Sequence, residues 1–200
     1  MYRLYDSAIS GNAYKVRLML HKLDLPFERI EMDVDDGSTR KADFLARNPV
    51  GQVPVLQLPD GTYLAQSNAI LVYLAEGTRF WPAERLARAQ ALQWMFFEQY
   101  NHEPTIAVVR HWVAHLGKTP ETEPQLPVKI AGGYRALGIM ETHLGGRDFF
   151  VGDALTVADI ALYAYTHVAH EGGFDLAAYP AVRAWLDRVV ADPRHIPIDR

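Results

Sequence analysis

The stretch NPVGQVPVLQLPDGTYLAQSNAILVYLA, residues 48–75, decides the fold. Val53-Pro54-Val55-Leu56 is an apolar run of strand formers, Asp60-Gly61 is a two-residue hairpin signal, and Thr62-Tyr63-Leu64 returns as a second strand. A helix follows at once: Ser67 stands where an N-cap belongs, Ile70, Leu71 and Leu74 mark one buried face, and Gly77 ends it. Pro54 opens a run that otherwise reads as a central strand, where a missing N–H is normally excluded. A cis Val53-Pro54 bond is expected there, with the Val53 N–H and C=O turned out to pair with a peptide-like ligand. Beside it, the helix start at Gln66-Ser67 offers N–H groups and a hydroxyl to a carboxylate. One extended ligand carrying a peptide bond and a carboxylate satisfies both.

Outward from this stretch, Tyr2–Tyr5 reads as a first strand, 7–11 as a loop, and Asn12–Leu23 as a helix buried through Ala13, Val16, Leu20 and Leu23. Phe27–Met32 reads as a second strand, and Thr39–Arg47 as a short helix that stops before Asn48-Pro49. Strands joined through a helix imply a parallel pair, and the hairpin adds an antiparallel one. Beyond residues 78–84, a linker, no strand is expected. Residues 84–116 are helical with Leu86, Ala89, Leu92, Trp94, Met95 and Phe96 in the pattern and a kink or break at Pro104. Val128–Leu144 is a helix weakened by Gly132-Gly133. Thr156 to Asp159 is a capping box opening a buried helix, and Ala181–Val190 is the last helix before a Pro-broken tail. The fold class is therefore a small α/β domain, residues 1–77, followed after the linker by an all-α domain over 85–200.

The 200 residues are 49% hydrophobic and 22% charged, long enough for a real core, and the net charge of −4 leaves no basic footprint for nucleic acid. No apolar run approaches a membrane span and the first residues carry no leader pattern, so a cytoplasmic location is expected. With no cysteine in the chain, a thiolate nucleophile or thiolate metal site is excluded, and sulfur chemistry has to arrive with a ligand.

A β-α-β-α-β-β-α unit with a proline at its third strand, then a helical domain, resembles the glutathione transferase family. The likeness rests on NPxGQVPVL at 48–56, QSNAILVYLA at 66–75 and FFVGDALTVADIAL at 149–162, in that order, and spans essentially the whole chain. It implies a thioredoxin-like first domain with glutathione lying across the Val53-Pro54 loop as co-substrate, without a resident cofactor. SGNxxK at Ser10 to Lys15 is similar to the bacterial, nu and theta members that use Ser or Thr with Asn nearby. The resemblance then assigns Ser10 and Asn12 to the thiolate, since a hydroxyl donor at a helix start lowers a bound thiol's pKa. Either residue can instead cap the helix. It assigns Gln66 and Ser67 to the γ-glutamyl carboxylate, with Gln where many relatives have Glu. Glu98 matches an acidic position that reaches the ligand's ammonium across a dimer, although a solvated face or ion pair accounts for it equally.

Gln52, Thr39 and Arg40 flank the expected place of the glycine carboxylate, Arg40 by charge and Thr39 by alignment. Tyr100, Pro104, Ile106 and Val109 are candidates for the second, electrophilic substrate, or core residues at helical spacing. Where tyrosine-using members place their hydroxyl, Asp6 stands instead, and Tyr5 reads as packing. His111 and His115 are spaced for a metal but lack a third ligand, and Asp159 reads as folding. The resemblance further implies a homodimer, with Leu71–Ala75 and the long helix near its interface, and a role in detoxification. Two other activities remain: glutathione-dependent disulfide reduction, suggested by the SxN arrangement, and a scaffold that binds glutathione without catalysis. Zeta-type isomerisation lacks its double-Ser-Cys signature.

Overall fold

A computed structural model describes residues 1–200. The chain forms two compact units, Met1–Thr78 with Pro193–Arg200, and Arg79–Asp192. The last eight residues, which in sequence read as the end of the helical region, thus belong to the first unit.

The first unit is a four-stranded mixed sheet in the order β2-β1-β3-β4. Strand β1 (Tyr2–Asp6) runs parallel to β2 (Phe27–Glu31), joined through helix α1 (Gly11–Lys22). Strand β3 (Val55–Gln57) lies antiparallel to both β1 and β4 (Tyr63–Ala65). The Val53-Pro54 bond is cis, as expected, and the ladder begins only at Val55, so the ring that lacks an N–H stays just outside it. The hairpin is longer than two residues. Leu58 donates its N–H to the Thr62 carbonyl, the Asp60 carboxylate accepts the Thr62 N–H at 2.9 Å, and Gly61 takes φ +93°.

Helix α1 is buried on nearly every side rather than on one face; Tyr14, Lys15 and Arg17 are as enclosed as Val16 and Leu20. Part of that cover is the C-terminal tail. Ile196 is buried, its carbonyl accepts the Tyr14 hydroxyl at 2.6 Å, and the Ile198 carbonyl accepts an Arg17 N–H at 2.6 Å. The expected helix over 39–47 splits into a 3-10 turn (Ser38–Arg40) and a short α2 (Ala42–Leu45). Helix α3 (Ser67–Ala75) buries Ile70, Leu71 and Leu74, but its N-cap is Gln66 and Ser67 is its first helical residue.

The second unit is all helix. Helix α4 (Arg85–Phe97) runs on through a π-wound stretch (Glu98–Ala107), α5 (Val108–Arg110) and a further wide turn (His111–His115). No break occurs at Pro104: the backbone keeps right-handed helical angles into Val108, and the wider winding accommodates the missing N–H. Ala91, Trp94 and Met95 face the core, whereas Leu86 and Phe96 are exposed, against the sequence pattern. Helix α6 (Leu126–Leu144) crosses the wide stretch at Gly132-Gly133. A side-chain carbon at Gly132 would come within 2.7 Å of Thr105 Cγ2, and one at Gly133 would strike the Phe174 ring. These glycines therefore permit close packing rather than merely weakening a helix. Helices α7 (Val157–Thr166) and α8 (Pro180–Ala191) complete the unit.

Candidate functional site

Helix α1 begins where β1 ends. Ser10 is its N-cap, with extended backbone and its Oγ accepting the Ala13 N–H at 3.2 Å. This bond uses an oxygen lone pair and leaves the hydroxyl proton as a donor, so capping and donation to a bound sulfur are compatible. The loop that carries Ser10 is tethered at several points. The Ser7 carbonyl accepts the Ser10 N–H at 2.9 Å, and the Glu31 carboxylate accepts the Ala8 N–H at 2.7 Å. Arg29 pairs with both Glu31 and Asp6 at 2.7 Å, and fully buried Asp6 also pairs with Arg17. Asp6 is thus a structural counter-ion beneath the loop. Tyr5 packs edge-on against Phe44 beside Val55, as its strand parity required.

Two helix starts meet here. Asn12, in the first turn of α1, accepts the Ser67 hydroxyl at 3.2 Å through Oδ1, so the thiolate candidate and the carboxylate candidate are directly bonded. Lys15, one turn further along α1 and fully buried, donates its ammonium to the same Oδ1 at 2.8 Å and lies 3.5 Å from Ser67 Oγ. In the sequence Lys15 closes the SGNxxK motif without an assigned role, and its i, i+3 spacing from Asn12 is the signal that links the two. At α3 the cap residue Gln66 is exposed, makes no side-chain capping bond, and holds φ +70°, ψ 111°. A non-glycine residue in that region is an outlier of the kind that collects at functional sites.

The Val53 side chain packs on the Tyr5–Phe44–Val55 cluster at the edge of the site. Thr39 is buried, and Arg40 donates to the Val50 carbonyl at 2.8 Å. Gly51, at φ +67°, lies so close that a side-chain carbon there would stand 2.8 Å from the Thr39 carbonyl and 2.9 Å from Arg40 Nη1. Thr39, Arg40 and Gln52 are thereby gathered into one loop cluster. Asn48, to which the sequence pattern assigns no role in the site, ties that cluster down by donating to the Gln52 carbonyl at 2.8 Å and accepting the Val50 N–H at 3.1 Å.

In the helical unit, Glu98 is fully buried and its carboxylate accepts the Gln99 amide at 2.8 Å. Tyr100 is 85% exposed, and the Pro104 carbonyl accepts the Lys129 ammonium at 2.9 Å. Ile106 and Val109 are core residues, packed toward Gly133 and Gly172 respectively, which removes them from an open substrate surface. The His111 and His115 rings lie 6.2 Å apart, and His115 approaches Glu171 at 3.9 Å. Asp159 accepts the N–H of Phe150 and Thr156 and the Trp185 indole N–H at 2.8–3.0 Å, which makes it a folding residue. An open trench in this unit, lined by Trp94, Arg135, Ile139, His143 and Arg147, contains none of the candidate residues.

Residues 9–76 match the family model of the glutathione S-transferase N-terminal domain, and residues 106–193 that of the C-terminal domain. The chain belongs to the glutathione S-transferase family. It is similar to the crystal structure of a glutathione S-transferase from Pseudomonas fluorescens, at 50% identity and TM-score 0.96 over 98% of both chains. Among curated proteins it is 34% identical to the maleylacetoacetate isomerase of Rhizobium meliloti over 92% of this chain and 89% of that one. It is 29% identical to the disulfide-bond oxidoreductase YfcG of Escherichia coli over 93% and 89%. Glutathione is the family's co-substrate, and solved relatives hold it. No helix is long and apolar enough to cross a membrane.

Proposed function

We propose that this protein is a glutathione transferase in which the Val53-Pro54 loop holds the peptide backbone and Gln66 with Ser67 holds the γ-glutamyl carboxylate. Ser10 and Asn12 stabilise the thiolate. Thr39, Arg40 and Gln52 flank the glycine carboxylate. The bound thiolate attacks an electrophilic carbon of an apolar substrate; a carbon–sulfur bond forms, and either a leaving group departs with the bonding pair or the adjacent carbon takes up a proton. Glutathione supplies the nucleophile, so the protein's contribution is positioning and electrostatic stabilisation. The observation that carries this reading is the Asn12–Ser67 bond, which joins the starts of α1 and α3 and sets a sulfur donor beside an open anion site.

The test is the ultraviolet absorbance of protein-bound glutathione across pH, in the parent and in Ser10→Ala. A thiolate band near neutral pH that Ser10→Ala moves upward by about one unit supports the reading. Glutathione that binds without ionising below its solution pKa transfers the fold to a scaffold role. Glutathione-dependent disulfide reduction is the second reading, favoured by the SxN arrangement and the YfcG relative. There the thiolate attacks a disulfide sulfur, forms a mixed disulfide and expels a thiolate, and a second glutathione resolves it to glutathione disulfide. Homodimer formation is supported by the exposed Leu86, Phe96 and Tyr100, which recur along one side of the long helix; analytical ultracentrifugation checks it.

A further inference from the structure

We infer that Lys15 is a positioning residue of this site: it locks the Asn12 carboxamide so that Asn12 acts as a hydrogen-bond donor, and it ties that donor to Ser67. The inference rests on the proposed roles of Asn12 and Ser67.

A carboxamide has an acceptor end and a donor end of nearly the same shape. Only the NH2 end attracts a thiolate; the oxygen end repels it. An asparagine that rotates freely therefore gives no reliable stabilisation. Here Oδ1 is held by two donors, the Lys15 ammonium at 2.8 Å and the Ser67 hydroxyl at 3.2 Å. Flipping the amide would set its NH2 against the ammonium, donor to donor, in a place where Lys15 has no exposed surface. The NH2 end is thus kept on the side away from Lys15.

Burial of an ammonium is costly, and an apolar side chain of similar length fills the same volume without that cost. Lys15 is also 3.5 Å from Ser67 Oγ, so the same ammonium orients the hydroxyl at the start of α3. One buried cation therefore sets both ends of the site through hydrogen bonds to Asn12 and Ser67.

The experiment is a double-mutant cycle on the pKa of the bound glutathione thiol, read from the thiolate band, with Lys15→Met, Asn12→Ala and the pair. Lys15→Met is expected to raise that pKa by about one unit, which is tenfold less thiolate at a given pH below it. Adding Asn12→Ala to Lys15→Met is expected to change little more, and Lys15→Arg to restore most of the loss. An Asn12→Ala shift of equal size with and without Lys15, or an unmoved band in Lys15→Met, overturns the inference while the proposed function stands. A parent that binds no glutathione removes the proposed function and the inference together. Should Lys15→Met fail to fold by circular dichroism, Asn12→Asp takes its place: it keeps a partner for Lys15 but loses the NH2 donor. An unshifted thiol pKa in that variant overturns the inference as well.

Discussion

The starts of α7 and α3 are built in opposite ways. At α7 the capping box is closed: Thr156 Oγ1 accepts the Ala158 N–H, and the Asp159 carboxylate returns to accept the Thr156 N–H, all of it buried. At α3 the cap residue Gln66 is exposed, makes no capping bond, and sits at positive φ. A helix start leaves N–H groups that something has to accept. At α7 the chain supplies the acceptor and the start is a folding device; the α3 start, with no acceptor from its cap residue, is the one the proposed function gives to a carboxylate.

The largest expected effect comes from breaking the closed start. Asp159→Ala leaves two backbone N–H groups and the Trp185 indole without an acceptor in the core, and unfolding in urea should show a loss of about 3 kcal/mol or more. Changes at the open start should act mainly on the ligand. Ser67→Ala should weaken glutathione binding in calorimetry by roughly tenfold, with a smaller loss of stability, about 1 kcal/mol, from the deleted bond to Asn12. Gln66→Gly sharpens the contrast, because glycine adopts φ +70° freely. A stability gain of about 1 kcal/mol should accompany weaker glutathione binding.

The smallest effect concerns the far end of α1. Burial first, then the nearby Arg200 and Arg17 charges, hold the His21 imidazole below its ordinary value. The folded protein therefore binds fewer protons here than the unfolded chain. This contribution to stability is complete above pH 6.5 and is lost as pH falls below it. In thermal melts at pH 7.5 and 5.5, His21→Gln should reduce the acid-side drop by about 1 °C. His143, lowered mainly by burial, contributes in the same sense and remains in that variant.

Much of this was legible in the sequence because it is local. Period-two and period-3.6 patterns, the Asp60-Gly61 turn and the Thr156–Asp159 spacing place elements with no knowledge of what they pack against. What the sequence concealed depends on partners distant along the chain. Gly132-Gly133 reads as a weak helix until Thr105 and Phe174 are found against it. Ser67 reads as a cap because a cap is the commonest use of serine there, and only the backbone shows Gln66 in that place. Lys15 is only the last letter of the SGNxxK motif until Asn12 and Ser67, the latter 52 residues downstream, are found against it. Leu86 and Phe96 fit an apolar period but lie on the exposed side of α4, a distinction that requires knowing where the core is.

The tail over 193–200 lies against α1 through Ile196, Tyr14 and Arg17. Synthesis runs from the N-terminus, so residues 1–78 emerge well over a hundred residues before the segment that covers them. The helical unit is complete in sequence first, while α1 waits with Tyr14 and Arg17 uncovered. Loss of residues 193–200 is then felt along α1, the helix that Ser10 caps.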